Sequence, residues 1–452
     1  MKKLTLLILA CASALSLFGQ DSTPEMLKKK QFFDKPDLFE AQSIFADRKA
    51  NEELVKEYEK SPKSYAANQL FPIAVCYTTL GDLDSAEKLL KEYIKAEPKS
   101  IRALRMLGGI YFASRKADDA KGNEQKVANA IECYKKMLEL GDKAAANQLA
   151  SVYIMQQTPD KISEVLPQLK ELAKTNMESL VLGFIYALRD GKSDDALIKE
   201  LLSGVDARKI LTTASRESLQ TVLRLYIAKR DIWPDNALVL PGRAAAFAEA
   251  WPLALDIYKK ALKSDPKNTL AMRGLSLVYY RTGDIQAAVD YIKQAIAAGD
   301  KAAASDGVEI FLLTGDKSIW ETFKDTFKEI PVSMVVRVGM IQYAEARDSA
   351  DVFFAACEGE GSQAIFDERR LDKLVFDGLE KFKSDARAKA VRERWTKAGG
   401  SKESVAKIEA QIAAAKNQNA EPAKPAATQN ATPDPKPAQD DIGASLDKAL
   451  KK

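Results

Sequence analysis

The chain has 452 residues, 46% of them apolar and 29% charged, a balance that fits a helix-leaning protein of two or three domains, or one array of repeats, and excludes disorder over most of its length. It contains no histidine, which removes the side chain that most often serves as general base, metal-ligating imidazole or near-neutral pH switch. The formal charge of +4 is too small to favour nucleic acid as a partner, the more so because Lys2 and Lys3 sit in a segment expected to be removed.

Residues 1–20, MKKLTLLILACASALSLFGQ, read as a secretory signal peptide. Lys2 and Lys3 form its charged start and Leu4 to Phe18 its apolar stretch; Gly19 is the preferred cleavage point, with Ala12-Ser13-Ala14 as another. The stretch is shorter than the ~20 apolar residues that span a bilayer, and no other segment qualifies as a transmembrane helix. Export to the periplasm as a soluble protein is therefore expected. The alternative makes Ile8-Leu9-Ala10-Cys11 a lipobox, with Cys11 lipidated and the protein anchored to a membrane, although the apolar run continues past Cys11 where a lipoprotein would turn polar. Cys76, Cys133 and Cys357 are odd in number and far apart, so they form no disulfide framework, and each falls in a helical apolar pattern as a small buried side chain. Residues 21–66 are expected to form an N-terminal helical cap, with Phe32 to Tyr58 its helical part.

Internal periodicity begins at Leu70. Leu70, Ile73, Ala74 and Tyr77 share one helical face, Gly81-Asp82 makes a turn, and a second helix with Ala86, Leu90 and Tyr93 closes at Pro98. Leu104, Leu107, Gly108 and Tyr111 start the next unit. Its second helix carries Ala130, Tyr134 and Met137 after about ten extra residues, Ala117 to Lys126, that predict a surface loop or a helix extension. Leu149, Ala150 and Tyr153 with Leu166 and Leu169 make a third unit; Leu182, Gly183 and Tyr186 with Ala196 and Leu201 make a fourth. The helical stretch Arg216 to Arg230 falls between registers. Regularity returns with Gly242, Ala254, Tyr258, Ala261 and Pro266. Met272, Leu275, Ser276 and Tyr279, the turn Gly283-Asp284, and Ala288, Ile292 and Ala295 then repeat the first unit, and Phe311, Gly315-Asp316, Trp320 and Phe327 follow. From Val335 to Lys397 the pattern loosens, with Gly339, Ala350, Phe354 and Cys357 in partial register and Leu371 to Trp395 as amphipathic capping helices.

This alternation of large and small residues resembles the tetratricopeptide repeat, whose W-x2-L-G-x2-Y, A-x3-F, P spacing it shares most closely in Leu70–Pro98 and Met272–Asp300. The resemblance implies an all-α, right-handed solenoid of helix pairs with helical caps and a disordered C-terminal tail. Small residues such as Ala74, Ala86, Ala254 and Ala288 let two antiparallel helices approach, and each pair buries its remaining apolar face on the next. The expected plan is a signal peptide (1–20), a cap (21–66), a first block of repeats (67–210), an irregular helical insert (211–234), a second block (235–335), a degenerate repeat with capping helices (336–416), a linker rich in proline, alanine and lysine (417–440) and a short tail helix (441–452). Glu421 to Asp440 holds five prolines and no large apolar residue, too little to offset the entropy of ordering it. Ile442, Leu446 and Leu450 draw one narrow apolar stripe on the tail helix.

Motifs that would carry chemistry are incomplete. Gly191-Lys192-Ser193 lacks the glycine of a phosphate-binding loop five residues earlier, where Tyr186 stands. Ser264 to Lys267 and Ser445 to Lys448 have S-x-x-K spacing without partner motifs. Asp118-Asp119 and Asp194-Asp195 suit a polar loop or a helix start, where negative charge meets the helix dipole. No catalytic residue, cofactor or metal site is expected.

In tetratricopeptide arrays the first helix of each pair lines the concave face. The off-stripe positions here give Asn68, Arg102, Arg105, Asn147, Arg243, Arg273, Tyr280 and Arg281, with Glu309 the one acid at an equivalent place. This set resembles the carboxylate-clamp variety of the family, which holds peptide C-termini by charge-assisted hydrogen bonds, although the usual lysine and asparagine are missing from the first repeat. A solvated basic face with no dedicated ligand is the plainer alternative. The expected function is a non-enzymatic periplasmic scaffold for protein or peptide partners, acidic segments or C-termini among them, in cell-envelope or secretion-complex assembly. A polysaccharide- or peptidoglycan-associated module is the alternative, and would want aromatic residues in the groove.

Overall fold

The computed structural model describes residues 48–115, 120–189 and 193–419. The leader, most of the linker, the tail helix, Asp118-Asp119 and Gly191-Lys192 lie outside the described residues. Among these residues every regular element is a helix. They divide into two compact units, the first ending at Ile232 and the second beginning at Trp233.

The first unit runs α1 (Arg48–Lys60), α2 (Leu70–Leu80), α3 (Leu83–Ala96), α4 (Ile101–Ala113), α5 (Ala120–Glu139), α6 (Ala145–Met155), α7 (Leu166–Leu172), α8 (Met177–Ala187), α9 (Asp195–Ser203), α10 (Ala207–Thr212) and α11 (Arg216–Ala228). The second runs α12 (Val239–Phe247), α13 (Trp251–Ser264), α14 (Thr269–Arg281), α15 (Ile285–Ala297), α16 (Ala304–Thr314), α17 (Lys317–Lys328), α18 (Met334–Arg347), α19 (Ala350–Cys357), α20 (Gln363–Asp367), α21 (Asp372–Lys381), α22 (Ala388–Lys397) and α23 (Lys402–Asn419). In each unit consecutive helices pack as antiparallel pairs that stack on their neighbours, which is the solenoid construction the spacing implies.

A Gly-Asp dipeptide makes the turn inside several pairs. Gly81, Gly283 and Gly315 take φ of 93°, 91° and 73°, a left-handed conformation that ends the first helix without a Cβ clash. The following aspartate starts the second helix, Asp82 accepting from the Ser85 amide at 3.1 Å and Asp284 from Ala287 at 3.0 Å. That bond satisfies one of the free amides of the first turn.

Within a pair, a glycine on the first helix faces a large ring on the second. A methyl group on Gly108 would stand 2.6 Å from the Tyr134 ring, and one on Gly242 would stand 2.6 Å from the Tyr258 ring. Gly307 faces Phe323 in the same way, and Gly274 of α14 closes on the other side of Tyr258. Tyr258 is thereby wedged between its own pair and the next. Buried Ala86, Ala254 and Ala288 supply the small side of the remaining contacts.

Two stretches depart from the regular pattern. The second element of the third pair begins as 3-10 helix, Pro159–Val165, and becomes α-helix only at Leu166, because Pro159 and Pro167 lack the amides a longer α-helix would use. The extra residues after α4 emerge in part as a helix extension, since α5 is already helical from Ala120. Cys76, Cys133 and Cys357 are buried and unbridged, as the apolar pattern implied.

The second unit closes on an arginine. Arg337 of α18 is fully buried and donates from Nη1 to the carbonyls of Ala356 at 2.8 Å and Glu358 at 2.7 Å, and from Nη2 to that of Glu360 at 2.5 Å. Arg394 of α22 adds a bond from Nη1 to the Cys357 carbonyl at 2.9 Å. Two cations thus meet the negative end of α19, where the last carbonyls have no helical donor.

Candidate functional site

All the expected groove residues but Asn68 sit on the first helices, and in each unit their surroundings differ from the sequence-based picture. In the first unit Asn68 is exposed in the short turn before α2, and Arg102 is half-buried at the start of α4. Arg105 donates from Nη2 to Asp142 Oδ2 at 2.6 Å. Asn147 is buried and accepts from the Ser179 hydroxyl at 2.8 Å, tying α6 to α8.

In the second unit Arg273 forks onto Asp306, from Nε at 2.6 Å and from Nη2 at 2.8 Å, with Asp300 a further 3.8 Å from Nη1. Burial pulls the pKa of this guanidinium down, but the bonds and charge of Asp306 outweigh burial and leave it raised. Glu309 is raised by burial first and by Asp306 second. A peptide carboxylate meeting Arg105, Asn147 or Arg273 would therefore have to share that residue with a partner already in place. Each already has a partner inside the fold, and Asp306 is a second acid on a face read as nearly free of them.

One hexapeptide, Gly-Asp-Lys-Ala-Ala-Ala, occurs at residues 141–146 and again at 299–304, once in each unit, and supplies two of these carboxylates, Asp142 and Asp300. Its glycine has φ of 93° at Gly141 and 103° at Gly299. Its aspartate meets the arginine of the preceding first helix, as Asp142 with Arg105 and Asp300 with Arg273. Its lysine reaches one repeat forward, Lys143 to Glu171 at 2.8 Å and Lys301 to Glu329 at 2.7 Å. The exact duplication was the sequence signal for this clasp.

On the second unit Arg243 and Arg281 are exposed and Tyr280 is half-buried against the core, and two exposed apolar residues lie on the same set of first helices. Phe247 is 45% exposed and Leu313 69% exposed. Register places Phe247, Tyr280 and Leu313 in one row. The Arg273–Asp306 fork holds α14 beside α16, and Tyr280 and Leu313 each lie seven residues beyond it, two helical turns on and on the same side. Gly242 and Gly274 meet the same Tyr258 ring, and Phe247 and Tyr280 follow them by five and six residues. Arg243 lies one turn before Phe247 and Glu309 one turn before Leu313. Among the described residues no carboxylate pairs with Arg243 or Arg281.

Such a row can hold apolar groups and orient charge, and it offers no nucleophile. Burial pushes the thiols of Cys76 and Cys357 up to about 12 and that of Cys133 to about 11, so none is an activated thiolate. Asp194 caps α9 through the Leu197 amide at 2.9 Å, and Asp195 pairs with Lys229 at 3.1 Å. Among the described residues no group of three potential ligand side chains assembles for a metal, and no helix is long and apolar enough to cross a membrane.

Residues 77–145 and 239–303 match the tetratricopeptide repeat. No curated protein matches the sequence. Among solved structures the chain is similar to the human IFIT1 dimer with PPP-AAAA, at 14% identity and a TM-score of 0.28 over 58% of each chain. It is similar also to the human IFIT1 dimer with m7Gppp-AAAA, at 14% identity and a TM-score of 0.33 over 93% of this chain and 95% of that one.

Proposed function

We propose that this member of the tetratricopeptide repeat family is a non-enzymatic scaffold, exported to the bacterial periplasm, that holds protein or peptide partners against its first helices during assembly of a cell-envelope or secretion complex. The family is in general a scaffold fold whose members bind protein partners. The observation that carries the reading is where apolar surface remains. Of the six large apolar side chains exposed among the described residues, Phe247, Leu313, Met334 and Val335 stand on first helices of the second unit. Large apolar side chains left exposed on the first helices are a mark of a surface that a partner covers. Export rests on the charged and apolar leader of residues 1–20.

Mass spectrometry of the protein recovered from cell fractions tests the location. An N-terminus near Gln20 or Asp21 is expected, and an intact Met1 or a diacylated Cys11 would overturn it. Cross-linking in intact cells tests the scaffold. Partner recovery should fall sharply with Phe247→Asp and Leu313→Asp together at unchanged helicity, and unchanged recovery would count against the reading.

A further inference from the structure

One exposed apolar patch of the second unit is built on a single helix. Met334 and Val335, 40% and 79% exposed, begin α18, and Val338 follows one turn on, half-buried. Residues three and four apart share a helical face, so these three side chains adjoin. Gly339 continues the face, and Leu312 of α16 lies against it, its Cδ1 3.3 Å from where a Cβ on Gly339 would stand. Glu309, which is exposed, precedes Leu312 by one turn, as Val335 precedes Gly339. The two helices, each the first of its pair, run the same way, so Glu309 lies on the Val335 side of that contact. Asp306 already holds the fork of Arg273, so Glu309 adds negative charge to this flank.

This chain carries a segment whose chemistry complements the patch. In residues 441–452, which lie outside the described residues, Ile442, Leu446 and Leu450 fall on one side at helical spacing, and Lys448, Lys451 and Lys452 share the half around Leu450. A helix of about three turns is marginal in water and needs a surface to fold on. Its tether starts nearby. Glu409 of α23 pairs with Lys373 of α21 at 3.0 Å, and α21 packs on α18, so one helix stands between the start of the tether and the patch. Residues 420–440 span at most about 70 Å when fully extended. A tether of this kind holds its end at an effective concentration on the order of 1 mM, which favours this chain's own segment over one supplied by a second molecule.

We propose that residues 441–452 fold back as a helix onto Met334, Val335 and Val338 of α18, with their lysines toward Glu309, and form a built-in cap. The consequence, that a partner must displace this cap to reach the first helices of the second unit, rests on the scaffold reading above.

A fluorescein-labelled peptide of residues 440–452, read by anisotropy, tests the docking on two full-length chains, the parent and Leu446→Asp/Leu450→Asp. It should bind the variant at least about tenfold more tightly, the factor by which a tethered competitor at ~1 mM hides a site of ~100 μM affinity. Adding Val335→Asp to that variant should weaken the peptide by about tenfold or more. Adding Glu309→Lys should weaken it too, and a peptide with glutamates in place of its three lysines should regain affinity for that chain.

Equal binding to parent and variant would overturn the proposal, as would no binding to the variant, or indifference to Val335→Asp at unchanged circular dichroism. A parent that sediments as a dimer, and a Leu446→Asp/Leu450→Asp chain that does not, would overturn it by giving the segment to a second copy. If the peptide fails while cross-linked partners still depend on Phe247 and Leu313, the scaffold reading stands and the cap falls. If the peptide behaves as expected while partner recovery ignores Phe247 and Leu313, the cap stands and the scaffold reading falls.

Discussion

Replacing Arg337 by methionine keeps the length and the apolar stem of the side chain and removes the donors. Three short bonds are lost, to the carbonyls of Ala356, Glu358 and Glu360 at 2.8, 2.7 and 2.5 Å. A buried carbonyl left without a donor costs about 1–3 kcal/mol, so three set a ceiling near ~9 kcal/mol. Two terms reduce it. Glu358 and Glu360 belong to a turn whose residues reach the surface, so their carbonyls can turn to water. Removing the cation also relieves a desolvation cost, the burial that already pulls its pKa down. The expected net loss is about 3–5 kcal/mol, the range seen when one partner of a buried charged contact is removed. That is a large share of the ~5–15 kcal/mol that stabilises a domain. All four tryptophans, Trp233, Trp251, Trp320 and Trp395, lie in the second unit, so their fluorescence in a urea titration reads that unit directly. Arg337→Lys should do no better than methionine, because one ammonium cannot span carbonyls arranged for a fork. A methionine variant within about 1 kcal/mol of the parent would refute the reasoning, since the bonds would then only balance desolvation.

Gly274→Ala should drive a methyl into the Tyr258 ring, which Gly242 already confines from the other side, at a cost of about 1–3 kcal/mol. Tyr258→Leu in the same background should restore most of that loss, and purely additive effects in the urea titration would argue against the wedge. Asp385 is held down to about 2, first by the side-chain bonds of Arg387 and then by that residue's amide. A depressed folded pKa contributes stability that is present above the ordinary carboxylate value of ~4 and lost as pH falls through about 2. The difference in urea midpoint between the parent and Asp385→Asn should therefore be constant near neutrality and shrink between about pH 4 and pH 2; an undiminished difference at the acid end would refute the assignment.

Much of the construction was legible because it is local. Gly81-Asp82 and Gly283-Asp284 announce a left-handed residue followed by a cap, and Gly242 with Tyr258 announces a close approach; each lies within one helix pair. What escaped depends on groups a repeat apart. The guanidinium of Arg273 looks free along its own helix, and its carboxylates, Asp300 and Asp306, belong to the next repeat. Arg337 falls in an amphipathic pattern that gives no hint that a charge is buried, since its partners are main-chain carbonyls and carry no side-chain signature. Phe247 and Leu313 went unremarked because apolar letters are assigned to the packing stripe by default. Their recurrence with Tyr280 at a fixed interval was readable once the helices were in register.

Consecutive pairing also bears on how such a chain reaches its fold. Among the described residues, bonds that cross between helices typically close over a few dozen residues, as from Arg105 to Asp142 and from Arg394 to the Cys357 carbonyl, each 37 apart. Contacts this near in sequence give a low contact order, and loop closure, the slow part of forming distant contacts, is brief. A chain arriving N-terminus first through any narrow exit can settle each helix pair against the one before it. No finished stretch has to hold apolar surface open for a partner hundreds of residues away, so the interval in which such surface could meet another chain is set by the arrival of a few dozen residues.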